Sequence, residues 1–237
     1  MSWIRRTDGY SLLFNRDELR SRPLAEAPVE RLLGSTRLLA PVDPQAGGSW
    51  IACNEDGLTV ALLNGYLGAD GGAPPDGGWM SRGLLVMRLA DSRSTAMAKR
   101  RLERLDLSPF RSFRIAIIDP LEESFLAWSY GERDTQPLIS PLISSSFDPD
   151  RVRASRLRLY GDRVDVSGLT RLEEFHRSHE PERGAYSPCM HRDDAHTVSF
   201  TQIDVDAREV RMAYAPDSPC RVWPAPAVGS FVRRGAQ

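Results

Sequence analysis

Leu13-Phe14-Asn15-Arg16-Asp17-Glu18 is the stretch from which the rest of the chain can be read. An apolar run stops at an amide, a guanidinium and two carboxylates, and Arg20 and Arg22 follow closely. Ahead of it lie a short strand, Trp3 to Arg6, and then Thr7-Asp8-Gly9-Tyr10. Asp-Gly between two strand-forming runs predicts a hairpin, because the turn needs positive φ and glycine adopts it without steric cost. Closing the chain about Asp8-Gly9 sets Ser2 opposite Asn15 and brings the first residues beside the polar cluster. A terminus beside such a cluster is an active-site geometry when it carries a nucleophile.

Working outward, Ser21 to Pro44 is rich in proline and arginine, lacks periodicity, and reads as an irregular crossing segment. Ala46-Gly47-Gly48-Ser49-Trp50-Ile51-Ala52-Cys53 is a turn feeding a strand, and Asn54-Glu55-Asp56-Gly57 is a second tight turn. Leu58 to Leu63 is almost continuously apolar, the pattern of a strand buried on both faces, and it ends in Asn64-Gly65-Tyr66. Gly68 to Gly78 is a loop rich in glycine and proline. Ser81 is placed to cap a helix through Asp91, and Ser94 to cap another with Ala98, Leu102 and Leu105 as its apolar stripe. Phe113 to Asp119 and Ser124 to Tyr130 predict a hairpin, and Gln136 to Ser146 an extended segment in a sheet or at its edge. Asp148-Pro149 opens a helix that Gly161 should close, and Leu169, Leu172 and Phe175 mark a shorter one. Thr197 to Val205 and Glu209 to Ala215 form a last hairpin before a proline-rich tail. Separate runs of strands and helices predict an α+β layered domain, with two mainly antiparallel sheets sandwiched between helices.

At 237 residues the chain can bury a large core. A net charge of −1 gives no general attraction to nucleic acid or anionic membrane, and no apolar run is long enough for a membrane span. Cys53, Cys189 and Cys220 are widely spaced and lack a CxxC pattern, so they read as reduced thiols of a cytoplasmic protein. The four histidines, His176, His179, His191 and His196, lack a matching carboxylate pattern. No metal and no cofactor is expected from them.

Two blocks carry a family resemblance. Asn15-Arg16-Asp17-Glu18 followed by Arg22-Pro23 resembles the signature of the NRDE family, which includes the transport and Golgi organisation 2 proteins. Ala46 to Trp50, with Asn54-Glu55-Asp56-Gly57-Leu58 and Leu63-Asn64, resembles that family's second block and also the bile salt hydrolase and penicillin V acylase group. Cys189-Met190-His191-Arg192 and His196-Thr197-Val198 give a looser third match. The resemblance implies a single domain over residues 1–237, a four-layer αββα sandwich of the N-terminal nucleophile hydrolase type. It also implies hydrolysis or acyl transfer at a C–N amide bond of a small molecule. The alternative it carries is a non-catalytic carrier of a lipid, acyl or haem-type ligand.

Within that resemblance a free α-amine acts as base, and its ordinary pKa near 8 suits proton transfer at neutral pH. Asn64 takes the position of the oxyanion-hole asparagine, although asparagine before glycine also suits a plain turn. Arg16, Asp17 and Glu18 would orient the nucleophile; the same run could equally be a solvated cluster closing a hairpin. Arg192 would hold a substrate carboxylate or the oxyanion, or pair on the surface with Asp193 or Asp194. The family's nucleophile is a cysteine after the initiator methionine, whereas this chain has Ser2 there. With Ser2 opposite Asn15, the residue opposite Glu18 lies two places ahead of Met1. The resemblance places the nucleophile opposite an acid, so the expectation is that about three residues, the cysteine among them, precede Met1; the alternative is a chain that has lost its nucleophile.

Overall fold

A computed structural model describes residues 1–66, 75, 78–129, 131–163 and 168–235. Sheet A has the order β1 (Ser2–Arg6), β2 (Gly9–Leu19), β10 (Ala195–Val205), β11 (Glu209–Ala215), β12 (Ala227–Val232). Sheet B runs β3 (Glu26–Leu33), β4 (Thr36–Val42), β5 (Ile51–Asn54), β6 (Thr59–Asn64), β7 (Phe113–Ile118), β8 (Glu123–Ser129), β9 (Glu132–Asp134). Every pairing between these strands is antiparallel.

The period-two alternation of the strands builds the layers. Tyr10, Leu12 and Phe14 of β2 pack between the sheets with Ala61 and Leu63 of β6. Leu13 turns the other way, against Leu172 and Phe200, under helices α3 (Pro149–Arg163) and α4 (Leu169–Arg177). Val60, Leu62, Phe113, Ile115 and Ile117 leave sheet B on its outer side and meet Leu85, Leu89, Ala98 and Leu102 of α1 (Gly83–Leu89) and α2 (Thr95–Arg104). The result is an αββα sandwich, as the sequence pattern and the resemblance anticipated. No helix among the described residues is long and apolar enough to cross a membrane.

Several local expectations need correction. The first hairpin pairs Arg6 with Gly9 and Ser2 with Leu13, so its turn is Thr7-Asp8 and Ser2 does not face Asn15. Gly9 serves a different purpose: a Cβ there would lie 2.0 Å from the Val205 carbonyl oxygen, so glycine admits the close approach of β10. Ser21 to Pro44 is not irregular but contains β3 and β4, whose exposed edge carries polar and charged residues instead of a clean apolar alternation. Ser81 does not cap α1; the helix starts at Gly83 after Arg82, with no side-chain cap. Gly161 does not end α3, which runs through it to Arg163.

Residues 136–146 join neither sheet as a strand. They cross the start of β1, where Ser140 Oγ accepts from Trp3 N at 3.1 Å and Leu142 exchanges backbone hydrogen bonds with Met1. The proline-rich tail contains β12, held by Arg37 over the Phe231 ring and by ion pairs from Arg234 to Glu55 and Asp56. The Gly68–Gly78 loop lies outside the described residues apart from Pro75 and Gly78. Ser94 does cap α2, accepting from Met97 N at 3.2 Å, and Asn54 Oδ1 closes its turn by accepting from Asp56 N and Leu58 N.

Candidate active site

The start of β1, the end of β2, the start of β10 and the end of β6 all fall at one end of the sandwich. There they enclose a cleft of about 660 Å³. Its walls include Met1, Asn15, Arg16, Asp17, Glu18, Asn64 and Arg192. Six of the seven residues singled out in the sequence therefore meet in one place, far apart in the chain as Asn15, Asn64 and Arg192 are.

The seventh, Ser2, lies immediately behind the wall. It is fully buried, and its Oγ is 2.8 Å from His176 Nε2. His176 Nδ1 lies 3.0 Å from Asn15 Oδ1, and Asn15 Nδ2 donates to the carbonyls of His176 and Pro188, both at 2.9 Å. Hydroxyl, imidazole and amide are linked in one hydrogen-bonded chain, the order in which a nucleophile, its base and an orienting group would stand. Burial and the nearby chain amine and Arg156 push the His176 pKa well below its ordinary value, so the ring is neutral at pH 7.

The chain's α-amine is part of the cleft. Met1 N donates to the Leu142 carbonyl at 3.1 Å. Desolvation, helped by Arg156 and opposed by Asp17, brings its pKa from 8.0 to about 5. An amine so perturbed carries a free lone pair at neutral pH.

The charged run of β2 divides by strand alternation. Arg16 and Glu18 point to the inter-sheet side, where Arg16 lies over the Trp50 ring at 4.2 Å and reaches Glu18 at 3.2 Å and Asp43 at 3.6 Å. Arg22 completes this cluster, pairing with Asp43 and Glu18. Asp17 turns towards α3; its Oδ1 accepts from Thr197 Oγ1 at 2.6 Å and its Oδ2 lies 3.4 Å from Arg156. The run is thus a fixed network with Arg16 buried, not a solvated hairpin end.

On the opposite wall, Asn64 Nδ2 donates to Tyr66 Oη at 3.0 Å. Arg192 lines the cleft, pairs with Asp194 at 2.6 Å and lies over the Phe147 ring. Arg22, Arg82, Arg111 and Arg156 also line the cleft, against the carboxylates of Asp17, Glu18 and Asp43. Arginine exceeds carboxylate among the described lining residues, which favours an anionic ligand.

Arg156 and Asp43 were not singled out from the sequence, and His176 was considered only among the four histidines weighed for metal. His176 was legible in principle, since it follows Leu172 by four residues on the buried stripe of α4. Arg156 and Asp43 offered no local signal.

In structure, the chain is similar to a point mutant of conjugated bile acid hydrolase from Clostridium perfringens, at 12% identity, TM-score 0.53, with 91% of this chain and 88% of that chain covered. A second point variant of the same enzyme gives 12% identity, TM-score 0.52, and coverage of 98% and 96%. Penicillin V acylase from Agrobacterium tumefaciens matches at 13% identity, TM-score 0.48, over 88% and 80%. At such identities the Clostridium structures establish a shared fold, that of the N-terminal nucleophile hydrolases. No curated protein matches the chain by sequence. The Transport and Golgi organisation 2 family matches residues 2–147, a span holding both motif blocks and most of the cleft, and the chain belongs to that family.

Proposed function

We propose that the chain is a C–N amide hydrolase or acyltransferase acting on a small anionic molecule through a nucleophile at its mature N-terminus. The observation that carries this reading is the placement of the chain's first residue and α-amine inside the cleft lined by Asn15 to Glu18, with Asn64 across from them. In the step proposed, the nucleophile adds to the amide carbonyl and its proton passes to the neutral amine. Asn64 Nδ2 and neighbouring donors take the oxyanion, and the proton returns to the departing nitrogen as the C–N bond breaks. Water or a second amine then accepts the acyl group. Arg192 and Arg156 suit a carboxylate on the substrate.

Strand alternation supports a choice between two candidate nucleophiles. Met1 and Trp3 belong to the inter-sheet core, whereas Ser2 pairs with Leu13 and faces α4. A residue two places ahead of Met1 would share Met1's side and lie opposite Arg16. A cysteine there would enter the cleft directly. Ser2, made terminal by loss of Met1, would instead rely on His176 as its base.

A carrier function is the second reading. It is favoured by the burial of the Ser2 hydroxyl and by the apolar lining from Phe14, Leu62, Leu63, Trp79, Leu142 and Phe175, which suits a lipid, acyl or haem-type ligand. Incubating protein that carries its native terminus with N-acyl amino acids and neutral amides, and measuring released amine by mass spectrometry, separates the two. Release from the carboxylate-bearing amides, abolished by acetylating the terminal amine, is expected. Binding without release from any amide would favour the carrier.

A further inference from the structure

Behind the cleft wall, between α4 and β10, residues 178–194 form no helix or strand apart from a single bridge between His191 and His196. Unstructured connections of this length are uncommon in compact domains and need something to hold them. One side-chain cluster sits at their centre. His179, Cys189, His191 and Cys220 present one nitrogen or sulfur atom each, all within 4.8 Å of one another. His191 Nε2 lies 3.5 Å from Cys189 Sγ and 3.4 Å from Cys220 Sγ. His179 Nε2 is buried without a hydrogen-bond partner, and its ring centroid is 5.1 Å from that of His191.

We propose that His179, Cys189, His191 and Cys220 form a tetrahedral Cys₂His₂ site for a structural zinc ion. Zinc bound at about 2.3 Å to sulfur and about 2.0–2.1 Å to nitrogen sets neighbouring donors roughly 3.3–3.8 Å apart, the range of the two measured sulfur–nitrogen separations. Two soft thiolates with two imidazoles select zinc over the oxygen-seeking cations. Two thiolates and one Zn²⁺ are together neutral, so the nearby Arg183 and Arg221 do not oppose the ion. Four protein ligands close the coordination sphere, which makes the site structural and separates it from the amide chemistry.

The site would tie α4's end and the 178–194 segment to the turn after β11. Ala185, Pro188, Met190 and Arg192 of that segment line the cleft, and Pro188 O accepts from Asn15. Zinc would therefore fix one wall of the candidate site without touching a substrate. The proposal does not depend on the amidase reading.

The test is metal analysis of the whole chain, purified under reducing conditions without chelator. One zinc per chain is expected, retained in Cys53→Ser, whose thiol lies in the core between the sheets, and lost in Cys220→Ser. Metal-free protein loaded with Co²⁺ should show thiolate-to-cobalt charge transfer and strong tetrahedral ligand-field bands, reduced in Cys220→Ser. If that variant does not fold, Cys220→His, which keeps four donors, should bind metal and fold. Fully reduced wild-type protein that binds neither Zn²⁺ nor Co²⁺ would overturn the proposal. So would a Cys189–Cys220 disulfide found after alkylation under air-free isolation.

Discussion

Asn64→Ala should lower kcat for amide release by roughly 10²–10³, the usual cost of one oxyanion-hole donor, while KM changes little. The reason is that the Asn64 amide lies on the cleft wall and would gain its second partner only when charge develops on the carbonyl oxygen. In the resting protein its Nδ2 donates to Tyr66 Oη. Folding should be nearly unaffected, because Asn64 ends its strand half-exposed and that single side-chain bond is replaceable by water. Steady-state kinetics with circular dichroism as the folding control checks this. An unchanged kcat would remove Asn64 from the chemistry.

In the unprocessed chain that begins at Met1, stability should fall as the pH is lowered from 8 to 5, by up to about 4 kcal/mol. The Met1 amine is the source: its pKa is 8.0 when exposed and about 5 when buried. Between those values the unfolded chain binds the proton and the folded chain does not, so the stabilisation is complete above pH 8 and is lost towards pH 5. Release of Met1 from Leu142 without global unfolding sets the lower end of the effect. His176 acts in the same direction below its ordinary value of 6.5, since burial depresses it too. Urea midpoints measured across this range check the prediction, and Arg156→Gln should flatten the curve, because Arg156 helps to depress both groups. A midpoint constant from pH 8 to pH 5 would contradict it.

The layering of the fold was legible because strands buried on both faces and amphipathic helices leave distinct patterns. Leu58 to Leu63 and the stripe of α2 are examples. The failures have local physical causes. Gly9 looked like a turn residue, but its missing side chain accommodates β10, a contact made by residues near position 205. β3 and β12 escaped notice because edge strands with exposed charges and prolines lack the apolar alternation that identifies a strand. At the site, Asn15, Arg16, Asp17, Glu18, Asn64 and Arg192 were found through motif resemblance, and the structure brings them to one cleft. Arg156 and Asp43 were not found, since nothing near them in sequence marks the partners they acquire across the fold. The histidines were set aside for want of carboxylates, whereas the side chains that gather around His179 and His191 are thiols.

The account stands on a nucleophile at the mature terminus, and the most direct measurement is the N-terminal sequence and intact mass of the protein isolated from its native source. The account predicts a free α-amine on a first residue that is cysteine, serine or threonine. A cysteine two places ahead of Met1 would fit the cleft-facing position opposite Arg16, and a terminus at Ser2 would bring in His176. A retained Met1, or any terminus that is acylated or lacks a nucleophile, would contradict the hydrolase reading and leave the cleft as a binding site.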